Sequence, residues 1–594
     1  MGEILSSEGM KKKLSGLVLT ILAVTGITVW AYGQQRLAPG WELSVAKDEL
    51  RFSGERAHRM AVEFATSFPC RHSGAPNNAA AARWVAQFFA DLGCRVETDY
   101  FREFLYGRPT VLRNVQAVLP GKTDDAVVVV AHIDQARTTV QGADNDASGI
   151  GIMLHLAEIF AQRGRYRTLV FLASDGEEYG MLGARRFLSV YPRERVVAAV
   201  SLDNVGRYNG TGLHIAAVGQ RRGYTDLWLA RLVQQTAEKV GVWRPTFPAP
   251  VNQVVERVVP FSFTDQGPFL YHGIPAFDLG VTAPSWPYYH TPEDTVDKIA
   301  PFPMAQVGLL TEAVLLELDA RKELPPGQQV YLYFNRERGT YLPSWALHLI
   351  ILVLLLPLFH TACKSWREAR PAKDRVLSVL ARLALNALPL LGGLAALYAL
   401  VAANLIPRFS LYPAPPRDPV LYQPAYPAVA VFLAVVIILA WVSRRRAAAL
   451  PDPDAAVRRP VVLGLLLVLS LLVFVKNGFA LLLLLPCNYL WPLIRERKGG
   501  AGRALNAVLL LAGGVVVCAL LYFFAQVIYV GWYMWWYFLQ MLAFRMIAPY
   551  AALAGIAAVS CGLTLAAYAP ARTGRTTREL PGPPTGPPRH SAGI

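Results

Sequence analysis

From Trp345 onward the chain runs through apolar stretches long enough to cross a bilayer, and this limits what that half can fold into. Seven stretches qualify: 345–362, 377–404, 427–443, 460–475, 478–493, 504–530 and 547–568. Hydrocarbon offers the backbone no hydrogen-bond partners, so each is expected to be a helix that satisfies its own amides. The polar connections alternate in charge. Lys364–Arg375, Arg444–Arg459, Arg495–Arg503 and Arg572–Arg578 are basic, whereas Ser410–Pro424, Lys476-Asn477 and Gly531–Phe538 are poor in basic residues. Basic loops stay in the cytoplasm. That places the long stretch 42–318 outside the cytoplasm and the C-terminal tail inside it.

The same flanking pattern accounts for the net charge. The chain carries +16 over 594 residues, 54% of them hydrophobic. Its basic clusters (Lys11-Lys12-Lys13, Arg444-Arg445-Arg446, Arg495-Glu496-Arg497-Lys498) all border apolar segments. No basic stripe interleaved with aromatics lies on the soluble part, so the expected partner is the lipid bilayer and not nucleic acid. Leu14–Tyr32, behind the three lysines, reads as an uncleaved signal anchor. Its apolar core exceeds the roughly 7–15 residues of a cleaved signal peptide, although Ala31-Tyr32-Gly33 would pass as a cleavage site. Arg382 and Lys476 lie near span ends, where their charges can reach water, which argues against a transport pathway.

The expected organisation is therefore a cytoplasmic stub and anchor helix (1–41), an extracytoplasmic domain (42–318), a linker with a short strand at Val330–Phe334 (319–344), a seven-span domain (345–570) and a disordered cytoplasmic tail (571–594). Gly531-Trp532-Tyr533-Met534-Trp535-Trp536-Tyr537 reads as an interfacial aromatic belt, with a buried cluster between helices as the alternative. Only two of six cysteines, Cys70 and Cys94, belong to the soluble stretch. They are either a disulfide of an exported domain or two buried free thiols.

The soluble stretch alternates helical segments with short β-rich runs. Helices are expected around Ala57–Phe68, from Asn78 to Leu92 (stopped by Gly93) and over Gly149–Arg163. The runs Val127–Ala131, Thr168–Ala173 and Val196–Leu202 read as buried strands. The fold class is α/β: a mostly parallel mixed sheet sandwiched by helices, followed by an all-α transmembrane bundle. Such sheets place their chemistry at the carboxyl ends of the strands. Here those ends carry metal-ligand residue types. His132-Ile133-Asp134 follows the first run, Glu177-Glu178 the second and Asp203 the third, with His290 in Tyr289-His290-Thr291-Pro292. Two imidazoles and several carboxylates meeting there would make a zinc site of the hydrolytic kind.

With the polar turn Gly142-Ala143-Asp144-Asn145-Asp146-Ala147-Ser148-Gly149, and with Asp265, Phe269 and Gly273-Ile274-Pro275-Ala276, residues 55–318 resemble the zinc aminopeptidases typified by bacterial leucyl aminopeptidases and aminopeptidase Y. Their usual Ser-Asp-His step before Gly-Ile-Pro is altered here. The added membrane segments look like the branch of vacuolar membrane protease and endoplasmic reticulum metallopeptidase. The resemblance implies a zinc-exopeptidase fold and a metalloprotease that hydrolyses the N-terminal residues of peptides. It implies that Glu178 and His290 bind one zinc and His132 and Asp203 another. Asp134 would orient His132, and Glu177 would be the general base. The family's metal-bridging aspartate falls on Asn145, between Asp144 and Asp146. A neutral amide is a weak ligand, so the expected zinc content is one or two per chain, near one held tightly. Two other readings remain: a non-catalytic receptor or docking ectodomain, and a single-zinc transferase like glutaminyl cyclase.

Overall fold

Why the sheet forms is visible in its central strands, which are buried on both faces and rich in valine, as parallel strands between two helix layers must be. The computed structural model describes residues 7–37, 42–105, 108–334, 340–369, 373–406, 409, 424–450, 455–495, 499–527 and 530–566. The tail 571–594, and with it Arg572–Arg578, lies outside these, as does nearly all of Ser410–Pro424.

The chain begins with α1 (Ser7–Leu37), α2 (Gly54–Ser67) and α3 (Pro76–Asp91), then the hairpin β1 (Arg95–Leu105) and β2 (Arg108–Leu119). The sheet is built onward by β3 (Thr123–His132), α4 (Ser148–Ala161), β4 (Arg167–Ser174), α5 (Leu182–Val190), β5 (Val196–Leu202) and β6 (Gly212–Ala216). After α6 (Leu227–Val240), α7 (Pro250–Val258) and α8 (Gln266–Tyr271) come β7 (Ala276–Thr282) and α9 (Pro301–Ala320). Seven strands lie in the order β1-β2-β4-β3-β5-β7-β6. The inner four, β4-β3-β5-β7, are parallel, and the outer pairings are antiparallel. The α/β class with a mixed, centrally parallel sheet is thus as expected.

The period of two along β3 divides two cores. Val127 and Val129 join Phe171, Phe64 and Leu154 under α2 and α4. Val128 and Val130 join Leu172, Phe187 and Phe269 under α5 and α8. Helix α4 is apolar nearly all round and buried along nearly its whole length, as a helix wedged between a sheet and a second helix layer must be. Cys70 and Cys94 are free thiols. The disulfide alternative therefore fails, and the alternative of two buried thiols holds for Cys94 but not for Cys70, which is exposed.

A small hairpin of β8 (Tyr331–Tyr333) and β9 (Tyr341–Pro343) leads into the bundle. Its helices are α10 (Ser344–Ala369), α11 (Lys373–Ala402), α12 (Tyr426–Ala449), α13 (Ala455–Lys476), α14 (Gly478–Leu490), α15 (Gly499–Gly513), α16 (Val515–Val527), α17 (Met534–Ala543) and α18 (Pro549–Ala566). Among the described residues five helices, α10 to α13 and α18, are long and apolar enough to cross a membrane, or six if the bent pair α15–α16 forms one span. The chain is a multi-pass membrane protein by this measure. The run 478–493 forms a shorter apolar helix closed by a 3-10 turn.

One span is broken, and the aromatic run divides between its two readings, belt and buried cluster. The run 504–530 is not one straight span but bends by 45° at Gly513-Gly514. A side chain at Gly513 would collide with the Trp491 indole, 2.1 Å from the position of a Cβ, and a glycine pair tolerates the break. The aromatic run at 531–537 is not simply an interfacial belt. Trp532 is 85% exposed, but Trp536 and Tyr537 are about 1% exposed and packed inside an apolar cluster.

The bundle is joined both to the N-terminal helix and to the α/β unit. Trp30 of α1 meets Trp345 of α10 at 4.6 Å between ring centroids. Arg257 of α7 stacks on Tyr224 and on Phe479 of α14, at 3.5 and 4.9 Å from the ring centroids. Asn477 caps α14 with its Oδ1 and donates its Nδ2 to the Arg257 carbonyl at 2.8 Å.

Candidate metal centre

The parallel strands β3, β4 and β5 end side by side, and their last residues launch the polar cluster. His132 ends β3, Glu177 and Glu178 lie in the loop after β4, and Asp203 directly follows β5. His290 arrives on the longer loop after β7, with a left-handed φ of 57°. Gly176 permits the sharp entry into the Glu177 loop. Its φ is 82°, and a Cβ there would lie 2.5 Å from the Leu112 side chain.

The structure brings all these residues together in the interior. Ligand atoms of His132, Glu177 and Glu178 lie within 4.8 Å of one another. His132 Nε2 is 3.8 Å from Asp203 Oδ1 and 3.9 Å from Glu177 Oε2. His290 Nε2 is 2.9 Å from Glu178 Oε2. Asn145 stands between the two groups. Its Oδ1 is 2.8 Å from His132 Nε2, and its Nδ2 is 2.9 Å from Glu178 Oε1 and 3.1 Å from His290 Nε2. The flanking carboxylates face elsewhere. Asp144 accepts from Arg207 Nε at 3.0 Å and from the Gly206 amide at 2.9 Å. Asp146 accepts from the His132 and Gly149 amides at 3.1 and 3.0 Å.

Asp134 organises the cluster from below. Its backbone carbonyl accepts from His132 Nδ1 at 3.0 Å, which orients the ring with Nε2 toward the centre. Its carboxylate accepts the backbone N–H groups of Glu177 and Glu178 at 3.2 and 3.3 Å. Asp134→Ala keeps the carbonyl that holds His132 but removes the carboxylate under the Glu177 and Glu178 amides, and should lower zinc affinity by about 10–100-fold, as read by competition with a chromogenic chelator. An unchanged affinity would show that the support is dispensable.

The electrostatics call for a cation. Burial first, reinforced by Asp203 and Glu178 against the attraction of His132, pushes the Glu177 carboxyl well above its ordinary range. Burial disfavours the His132 imidazolium, yet Asp134 and Asp203 outweigh it and raise the ring's pKa well above normal. Buried acids gathered around two imidazoles are short of positive charge, and a divalent ion supplies what they lack. Imidazole nitrogens and carboxylate oxygens are the donor set of zinc. The residues present fit that ion.

Two supporting residues carry no sequence signal. Asp294 accepts the backbone N–H groups of Asp144 and Asn145 at 2.8 and 3.2 Å, fixing the turn that aims Asn145. The fully buried Arg71 donates to the Ile133 carbonyl at 3.0 Å, to Gln135 Oε1 at 2.8 Å and to the Gly142 carbonyl at 2.8 Å. Burial lowers its guanidinium to about 10, so it stays charged at neutral pH. Both sit far in sequence from the groups they hold.

A mixed sheet with a buried imidazole–carboxylate cluster at its carboxyl edge is an architecture suited to metal-dependent hydrolysis. Residues 114–315 match the sequence profile of Peptidase family M28, so the chain carries a peptidase M28 domain. The alkaline phosphatase isozyme conversion protein of Escherichia coli is 28% identical over 177 residues, which cover 26% of this chain and 51% of that protein. Aminopeptidase YwaD of Bacillus subtilis is 26% identical over 213 residues, covering 34% of this chain and 43% of the relative. The chain thus spans about half the length of these curated relatives or less. The structure of BSAP, a zinc aminopeptidase from Bacillus subtilis, covers 46% of this chain and 97% of its own, at 16% identity and a TM-score of 0.40.

Proposed function

We propose that the protein is a membrane-bound zinc metallopeptidase of aminopeptidase type, which removes N-terminal residues from peptides outside the cytoplasm. The observation that carries this reading is the buried cluster of His132, Glu177, Glu178, Asp203 and His290 at the carboxyl edge of the sheet. The M28 match supports it. In this reading His132 and Asp203 would hold the tighter ion and Glu178 and His290 a weaker second, with Asn145 between the two pairs. Zinc supplies Lewis acidity there, which polarises a peptide carbonyl and eases deprotonation of water. Glu177 takes the proton from the attacking water on its carboxylate and returns it to the leaving amine nitrogen, so the enzyme ends as it began. Asp134 keeps His132 oriented throughout.

The test is hydrolysis of an aminoacyl-anilide panel by the full chain in detergent. Activity should vanish with a chelator and return with zinc. A chain that binds zinc firmly and cleaves none of the panel would favour a second reading, a binding ectodomain, for which Asn145 at the centre is the supporting observation.

The orientation belongs to the same proposal. Epitope tags at Ser53 and Gly531 are expected to be accessible from outside intact cells, and a tag at Arg446 only after permeabilisation. Ser53 and Arg446 on one side would overturn it.

A further inference from the structure

We propose that the helical bundle is a working part of the site, because its cap helix α17 braces the loop carrying Glu177 and Glu178 through Phe261 and Met181. The roles of those two glutamates rest on the proposed function; the brace itself does not.

The loop closes on itself. The N–H groups of Gly180 and Met181 both donate to the Glu177 carbonyl at 2.9 Å, and that of Leu182 donates to the Gly176 carbonyl at 3.0 Å. Met181 ends it in a left-handed conformation, φ 54°. A side chain other than glycine adopts that conformation only where its surroundings hold it. What holds Met181 is not the sheet. Its side chain is fully buried, yet it belongs to neither apolar core flanking the strands. It belongs instead to the cluster that runs through Phe261 into Trp536, Tyr537 and Met541 of α17. Phe261 meets Phe409 edge-on at 5.9 Å and Tyr537 at 6.4 Å, and these two rings pack together at 5.3 Å.

A bundle that served only as an anchor would need none of this. The Arg257–Phe479 contact and the Asn477–Arg257 hydrogen bond already fasten the unit away from the loop. The apolar cluster shared by Met181, Phe261 and Tyr537 instead ties a membrane-domain helix to the residue that ends the glutamate loop. Tyr537, Phe409 and Phe261 are therefore positioning residues.

The experiment uses the full chain in lipid nanodiscs and reads two quantities that a general anchor would not move. They are amide hydrogen exchange over 176–182 and the visible d–d absorption of the cobalt(II)-loaded protein. Tyr537→Ala and Phe261→Ala should each speed exchange in that loop by about tenfold or more and shift the cobalt bands, with exchange in β3 unchanged. Tyr537→Phe, which keeps the ring, should match the wild type, as should Trp345→Ala, which loosens the remote contact between α1 and α10. If Tyr537→Ala disrupts assembly of the bundle, Phe261→Ala on the α/β side carries the same expectation. Wild-type exchange and spectra in both alanine variants would overturn the brace, and so would equal loosening by Trp345→Ala. Failure of the wild type to bind cobalt would count against the zinc reading, and the exchange measurements would still decide the brace.

Discussion

Glu177→Gln is expected to keep the wild-type zinc content and to lower the rate of peptide hydrolysis by about 10²–10⁴-fold, the range for loss of a positioned acid–base group. The substitution preserves size and buried hydrogen-bonding capacity but removes the atom that accepts a proton. Glu177 is nearly fully buried, and its Oε2 lies 3.9 Å from His132 Nε2, beside the cluster but outside contact distance. Its loop is fixed independently of its side chain, by Asp134 and by the backbone bonds around Gly176. Folding should therefore be little changed. Metal analysis beside turnover separates the outcomes. Retained activity removes Glu177 from the chemistry, and a loss of zinc with the loss of rate makes it a ligand instead of a base.

Asn145→Asp is expected to raise bound zinc from about one toward two per chain and to raise peptidase activity at limiting zinc. Catalytic zinc is usually held by about three protein ligands, and each group here offers two strong ones without the residue at 145. In the wild type the amide turns its oxygen to His132 and its nitrogen to Glu178 and His290. A nitrogen carrying two protons cannot ligate. The Glu178–His290 pair is thus left with two ligands, while the oxygen helps the pair formed by His132 and Asp203. A carboxylate would serve both groups and offset the repulsion between two cations. Asp144 and Asp146 do not replace it, since their oxygens are taken by Arg207 and by backbone amides. Asp144→Asn should accordingly leave the zinc count where it is. Two firmly held zincs in the wild type would contradict this assignment.

The parts of the fold that are legible in sequence are those where one physical demand dominates. Valine-rich runs such as Val127–Ala131 show a strand buried on both faces, and the residues after them show the site, because a parallel sheet collects its strand ends on one edge. The hairpin β1–β2 is not legible. Arg95, Glu97, Asp99, Arg102 and Glu103 leave β1 largely exposed at the sheet edge, so its alternation is weak. The spans are legible by length, but the bend at Gly513-Gly514 depends on Trp491 lying across it. Trp536 and Tyr537 carry the composition of a lipid interface, yet Phe261, distant in sequence, draws them inward. Arg71 and Asp294 are invisible for the same reason: what they hold is adjacent only in the fold.

The most direct measurement is the product formed from an unmodified peptide with an N-terminal glutamine, incubated with the zinc-loaded full chain and analysed by mass spectrometry. Free glutamine and a peptide shortened by one residue are the expected products, both absent with Glu177→Gln. A pyroglutamyl peptide of undiminished residue count, or an unchanged peptide despite stoichiometric zinc, would contradict an aminopeptidase.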